Sequence, residues 1–326
     1  MNTLYLTLDY ELFLNDRTGD VNNCLIAPTN HLIAILEKYD AKATFFVDVA
    51  FLFRLYELKA EWAILQTDYD KIVEQIRALD QKGHEIALHI HPQWFYSNFD
   101  GKKWVIDYAY YKLSDMPQSD ADKRFVDCVH LLKGIVGQPI TAFRAGGYSI
   151  QDYKSFPEIL LSNGICKDSS VLPGMKYVSK LQYYDYTLLN SADIYTFNDN
   201  ILSPVTDGDI QEFPIATAKI SFLQYCFYKL YNSIIKNNQN WGNGGDFSTH
   251  RWKEFIKNIL QKLFICTYIS ATIDYQSFTS TDYVLKHIKN KYSNIVIIGH
   301  PKNFSPASLN YLQKLLNSKE YCFNTL

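Results

Sequence analysis

The sequence predicts an α/β fold built as one barrel-like domain, on three observations. Short β-rich runs alternate with helix-patterned stretches over most of the 326 residues, which argues for a largely parallel sheet. Several of these runs stop at a charged or imidazole side chain: Asp9 and Glu11, His89 and His91, Arg144, His300. No linker, internal repeat, heptad array or low-complexity tract divides the chain, so residues 1–326 are read as a single domain.

The first β-rich run is 4–8, and a helix over 28–39 follows, with Pro28 suited to its first turn. A run at 43–47 leads to a helix over 69–82, which Gly83 stops, and then to a run at 85–89. Residues 95–118 are aromatic, polar and poorly periodic, and are read as a lid inserted after the histidine strand. Next come a helix over 120–136 capped by Asp120, a run at 140–143, a helix over 153–163 ended by Gly164, and a run at 165–167. The pattern degrades over about 179–248, an irregular embellishment holding the turn-rich stretches 198–200 and 241–245. It recovers as a helix over 249–264, a strand over 265–270, a helix over 280–291, a strand over 295–298 and an amphipathic helix over 305–316.

Composition narrows the function. A 47% hydrophobic content is enough for a large core, and a formal charge of −2 without Lys/Arg blocks leaves no electrostatic footprint for nucleic acid or an acidic membrane surface. Six dispersed cysteines with no C-x-x-C pair read as reduced thiols. The N-terminal residues show no basic leader or cleavage site, and no apolar run approaches the roughly 18 residues of a membrane span, so the expectation is a cytoplasmic protein. The 25 tyrosines and 20 phenylalanines could stack on sugar faces, but they pack ordinary cores equally well.

The chemistry begins with His89-Ile90-His91. Strand side chains alternate between faces, so both imidazoles point the same way and can close on one metal ion. Neutral nitrogen ligands of this kind suit zinc and its neighbours. Two histidines on one strand face are ordinary more often than not. Their company gives them weight, because in parallel β/α architectures the carboxyl ends of the strands meet at one rim.

In order and spacing these motifs resemble the polysaccharide deacetylases of the NodB-homology family. Thr7-Leu8-Asp9-Tyr10-Glu11 resembles the family's first motif, Lys42-Ala43-Thr44-Phe45-Phe46-Val47 its second strand, and Gly83-His84-Glu85-Ile86 the approach to its metal histidines. Phe143-Arg144-Ala145-Gly146-Gly147-Tyr148 resembles its arginine motif, Lys167-Asp168-Ser169-Ser170 the segment after the next helix, and Ile298-Gly299-His300 its late histidine. Two departures stand out. Tyr10 occupies the place of the second of two adjacent acids, so the acids are spaced two apart, and the histidine pair is contracted.

The resemblance implies a deformed (β/α) barrel of about seven strands with inserted loops, and a metal-dependent amidohydrolase. It implies a divalent ion, zinc first with cobalt or nickel as alternatives, held by Glu11, His89 and His91. Asp9 would be the base, Arg144 would hold Asp9 by a contact that could be bidentate, and His300 would be the acid. Asp168 would orient His300 or else brace Arg144. The implied substrate is an N-acylated sugar, N-acetylated first, free or as a nucleotide- or lipid-linked glycan precursor. Two rivals stay open: hydrolysis of a small non-sugar amide, and a catalytically inactive carbohydrate-binding relative. Trp94, Tyr148 and Trp241 are candidate rings for a sugar site. His84 is read as structural, and His31, His130, His250 and His287 carry no assigned chemistry. The oligomeric state is not legible.

Overall fold

Leu4, Leu6 and Leu8, each fully buried, pin the first strand, β1 (Asn2–Tyr10), at the centre of the molecule. Burying a leucine contributes about 1.5–3 kcal/mol. The computed structural model describes residues 1–226, 240–245, 267–275 and 278–326. The expected helix over 249–264, with His250, lies outside them.

After β1 come β2 (Thr44–Asp48), β3 (Glu85–Ile90), β4 (Ala142–Ala145), β5 (Lys167–Asp168), β6 (Ile210–Glu212) and β7 (Asn294–Gly299), all parallel, set side by side as β6-β5-β4-β3-β2-β1-β7. A last strand, β8 (Tyr321–Asn324), pairs with the first half of β1, while β2 pairs with its second half. An antiparallel strand over Tyr195–Phe197 borders β6, and the sheet curls until the chain just past β6 reaches β7. Beyond β6, Ile215 bridges Val296 of β7, and the Ala216 amide donates to the Val296 carbonyl at 3.0 Å. The seven-strand deformed barrel expected from the motifs is the observed fold.

Helices cover the outside: α1 (Ala27–Lys38), α2 (Val49–Leu58), α3 (Ala63–Gln81), α4 (Gln118–Lys133), α5 (Glu158–Ser162), α6 (Phe278–Ile288) and α7 (Pro306–Leu316). Their ends carry readable chemistry. Gly83 and Gly164 take positive φ just past α3 and α5, and Ser305 accepts from the Ser308 amide to cap α7. Asp120 is in the first turn of α4, one turn inside the helix, where Pro117 holds the cap position; there it still complements the helix dipole.

Three readings are corrected. α2 was not foreseen, because one apolar stretch runs from strand β2 straight through the helix and hides the change of period. The stretch over 179–248 is not embellishment throughout, since β6 within it is a barrel strand too short to show a pattern. The insertion at 95–118 is structured, with Asn98–Phe99 paired to Trp104–Val105 and with Trp104, Leu113 and Met116 buried. Among the described residues no helix is long and apolar enough to cross a membrane.

Candidate functional site

The parallel register carries one chemical group to the carboxyl end of each barrel strand. Asp48 of β2 pairs with His89 of β3, His89 with Arg144 of β4, Phe143 with Asp168 of β5, and Asp168 with Glu212 of β6. Asp9 lies in the last turn of β1 and His300 directly follows β7. All of these but His300 are buried.

The two-residue spacing of Asp9 and Glu11 puts both carboxylates on one side. Tyr10, between them, points away into the core and donates its hydroxyl to Gln75 at 2.8 Å. Arg144 Nη1 donates to Asp9 Oδ1 at 2.6 Å. The contact is not bidentate: Nη2 turns to Thr7 Oγ1 (2.8 Å) and Ser169 Oγ (2.7 Å), and Nε donates to the Ser169 carbonyl at 2.7 Å. The guanidinium also rests over the Phe46 ring, 4.1 Å from its centroid. Burial by itself would raise the Asp9 carboxyl, but Arg144, then His89 and His300, hold it well below the carboxylate range.

Glu11, His89 and His91 converge, with ligand-type atoms all within 4.8 Å of one another. Glu11 Oε2 is 2.6 Å from His91 Nε2 and 3.4 Å from His89 Nε2. His89 Nδ1 faces the Arg144 carbonyl at 2.8 Å. A carbonyl only accepts, so Nδ1 carries a ring hydrogen and Nε2 is the nitrogen that would offer its lone pair to an ion. Glu11 Oε2 and His89 Nε2 are buried and make no hydrogen bond, despite their proximity. Buried polar atoms left without partners, aimed at one point, fit a cation. The carboxylates favour positive charge at this point: burial would lower the His89 imidazole, yet Asp9 and Glu11 outweigh it and hold it above its ordinary value, and a bound ion would take the place of the proton on Nε2. Gly146 allows the tight packing here, since a Cβ would meet the Ile90 carbonyl at 2.4 Å and His91 Nδ1 at 2.7 Å.

His300 Nε2 is 3.5 Å from Asp9 Oδ2 and 3.8 Å from Glu11 Oε1. Its orienting carboxylate is Asp274, not Asp168: Asp274 Oδ2 meets His300 Nδ1 and Oδ1 accepts from the His300 amide, both at 2.8 Å. Nor does Asp168 brace Arg144, which Thr7 and Ser169 hold. Asp168 accepts from the Ser170 amide and hydroxyl at 2.9 Å each, and Ser170 Oγ in turn accepts from the Ala145 amide. Both oxygens of the carboxylate are thus held by Ser170, two residues on, and across the sheet Asp168 pairs with Glu212 of β6.

Asp48, Asp274 and Lys302 were missed. Asp274 ends a β-rich run, which is the signal that found the other acids, whereas Asp48 sits inside an apolar stretch that continues into α2. Asp48 Oδ1 accepts from the His91 amide at 3.3 Å. Lys302 donates to Glu11 Oε1 at 2.7 Å, and no local pattern announces it.

Of the candidate sugar-lining rings, Trp94 is fully buried against Phe51 and Trp104 and is a packing residue. Trp241 stacks on His31, with ring centroids 4.7 Å apart. Tyr148 is half-buried beside the site; burial first, then the charge of Asp9, raises its phenol well above the ordinary value. His84 is structural, its Nδ1 accepting from the Ala43 amide at 3.3 Å.

Against known families, residues 3–156 match the one described as "Polysaccharide deacetylase". No curated protein matches the chain. Among solved structures, Puue allantoinase is similar at 11% identity and a TM-score of 0.49, over 99% of this chain and 87% of that one. The catalytic domain of a peptidoglycan N-acetylglucosamine deacetylase from Eubacterium rectale is similar at 14% identity and a TM-score of 0.40, over 100% and 88%. The polysaccharide deacetylase Bc1974 from Bacillus cereus is similar at 12% identity and a TM-score of 0.39, over 100% and 92%.

Proposed function

We propose, on the premise that residues 3–156 are a polysaccharide deacetylase segment, that this protein hydrolyses an N-acyl group, N-acetyl first, from a sugar or glycan with the help of a divalent ion, zinc first. The observation that carries the reading is the buried convergence of Glu11 Oε2 with His89 Nε2 and the His91 imidazole, within 4.8 Å of one another, beside Asp9 and His300. Glu11, His89 and His91 would hold the ion, which would supply Lewis acidity toward a water and the acyl oxygen.

The remaining work falls to the chain. Asp9 takes the proton of the attacking water on Oδ2, the oxygen that Arg144 leaves open. Arg144 keeps Asp9 ionised and fixed, which also limits its basicity. As the water oxygen bonds to the acyl carbon and the C–N bond breaks, His300 gives the proton on Nε2 to the departing amine. Asp274 Oδ2 accepts a hydrogen bond from Nδ1–H and so turns Nε2 toward the site.

The test is acetate release from a panel of N-acetyl sugars by zinc- or cobalt-loaded protein. Asp9→Asn is expected to keep its metal while kcat falls by about 10²–10⁴. His89→Ala is expected to lose both. Metal loss in Asp9→Asn would exchange the roles of Asp9 and Glu11, and no acetate from any sugar would overturn the reading.

A further inference from the structure

We propose that Lys302 is a positioning residue for Glu11: it takes one oxygen of that carboxylate, so that only the other is offered to an ion shared with His89 and His91. The inference rests on the metal-dependent reading above.

Lys302 Nζ donates to Glu11 Oε1 at 2.7 Å and to the Leu12 carbonyl at 2.8 Å, and it lies 5.0 Å from the centroid of the Phe13 ring. The side chain is 9% exposed. With Oε1 occupied, Oε2 is the oxygen that faces His91 Nε2 at 2.6 Å and His89 Nε2 at 3.4 Å. A carboxylate can bind a cation through one oxygen or through both. A charged hydrogen bond to one oxygen removes that choice. It also offsets the ligand's charge, so an ion there is held less tightly and acts as a stronger Lewis acid. A buried ammonium is costly unless its hydrogens are met, and a methionine would fill the same volume. Packing therefore does not account for a charge at this position.

The seat of Lys302 is built from far along the chain. The Gly242 amide donates to the Lys302 carbonyl at 3.1 Å, Asn240 Nδ2 donates to the same oxygen at 3.2 Å, and the Trp241 amide donates to the Phe304 carbonyl at 3.0 Å. A Cβ on Gly242 would stand 2.2 Å from the Lys302 carbonyl oxygen and 2.9 Å from the Phe13 ring, so only glycine permits this approach. The turn-rich stretch at 241–245 thus clamps the backbone beneath the lysine.

The test is the visible spectrum of the cobalt(II)-loaded full-length protein, with cobalt affinity measured by chelator competition. In Lys302→Met, Glu11 is free to bind through both oxygens. The d–d bands should weaken as the coordination number rises, and affinity should hold or tighten. The sign is opposite to that for a carboxylate behind a ligand histidine, because the partner here is a cation. kcat should fall about tenfold at unchanged KM, and Lys302→Arg should restore the parent spectrum. Lys302→Leu, which likewise offers no donor, makes the same comparison if the methionine variant does not fold. A parent-like spectrum in the neutral variants, or a loss of cobalt affinity, would overturn the inference while leaving the metal reading intact. Failure of the unaltered protein to bind cobalt would instead overturn the metal reading, and this inference with it.

Discussion

Asp274 grips His300 at two points, the main-chain amide and ring Nδ1, and that grip sets both the tautomer and the charge of the ring. Burial works against a charged imidazole here, but Asp274, and after it Asp9, outweigh it and push His300 up to about 10. An acid must hold its proton to give it away, so activity should persist well into the alkaline range and fall as His300 deprotonates. Asp274→Asn removes the largest attraction on the protonated ring. The alkaline limb of the pH–rate profile should then move to lower pH, and kcat near neutrality should drop by about tenfold or more. An unmoved limb would mean that another group supplies the proton. At this scale the sequence was legible wherever an apolar run stops at a polar residue, which covers Asp9, Glu11, His89, Arg144 and His300, and covers Asp274 by the same rule, but not Asp48, whose apolar stretch continues into α2. Lys302 follows no such rule, because its partner Glu11 is 291 residues away.

β5 and β6 place Asp168 opposite Glu212, both fully buried. Glu212 Oε1 accepts from the Val171 amide at 3.0 Å, which turns the other oxygen toward Asp168. Burial, and next the charge of Asp168, raise Glu212 well above the carboxylate range, so the folded state keeps a proton that the unfolded chain gives up near pH 4.5. The folded state thus binds more protons than the unfolded one. The stabilisation from this pair is complete below the unfolded value and is lost as pH rises toward the folded one. Glu212→Gln copies the protonated acid. Relative to it, the parent should lose stability as pH rises above about 4.5, at up to about 1.4 kcal/mol per pH unit, as read by denaturant melts at several pH values. Parallel profiles would show that the pair shares no proton. Elements were readable where they are long and periodic, as in β1, β3, α3 and α7. Two-residue β5 was met by the run at 165–167, but three-residue β6 has no period to read, and α2 is masked by the apolar strand before it.

The closed sheet makes one ring of strands whose carboxyl ends face one another, so an ion held by Glu11 and the two histidines would tie the end of β1 to that of β3. Binding only to the folded state stabilises it by about 2.7 kcal/mol at a free concentration one hundred times Kd. Zinc should therefore raise the melting temperature, a chelator should reverse the rise, and His89→Ala should show no response. A rise of equal size in His89→Ala would place the ion elsewhere. By itself the sequence determined the βα alternation, the strand-end chemistry and the same-side pairing of Asp9 with Glu11 and His89 with His91, because these depend only on spacing along a few residues. Only the tertiary structure decided who partners whom. Asp274 rather than Asp168 holds His300, Thr7 and Ser169 complete the hold on Arg144, and Lys302 takes one oxygen of Glu11. Those pairings depend on distances across a closed barrel between residues far apart in the chain, and no local pattern encodes such distances.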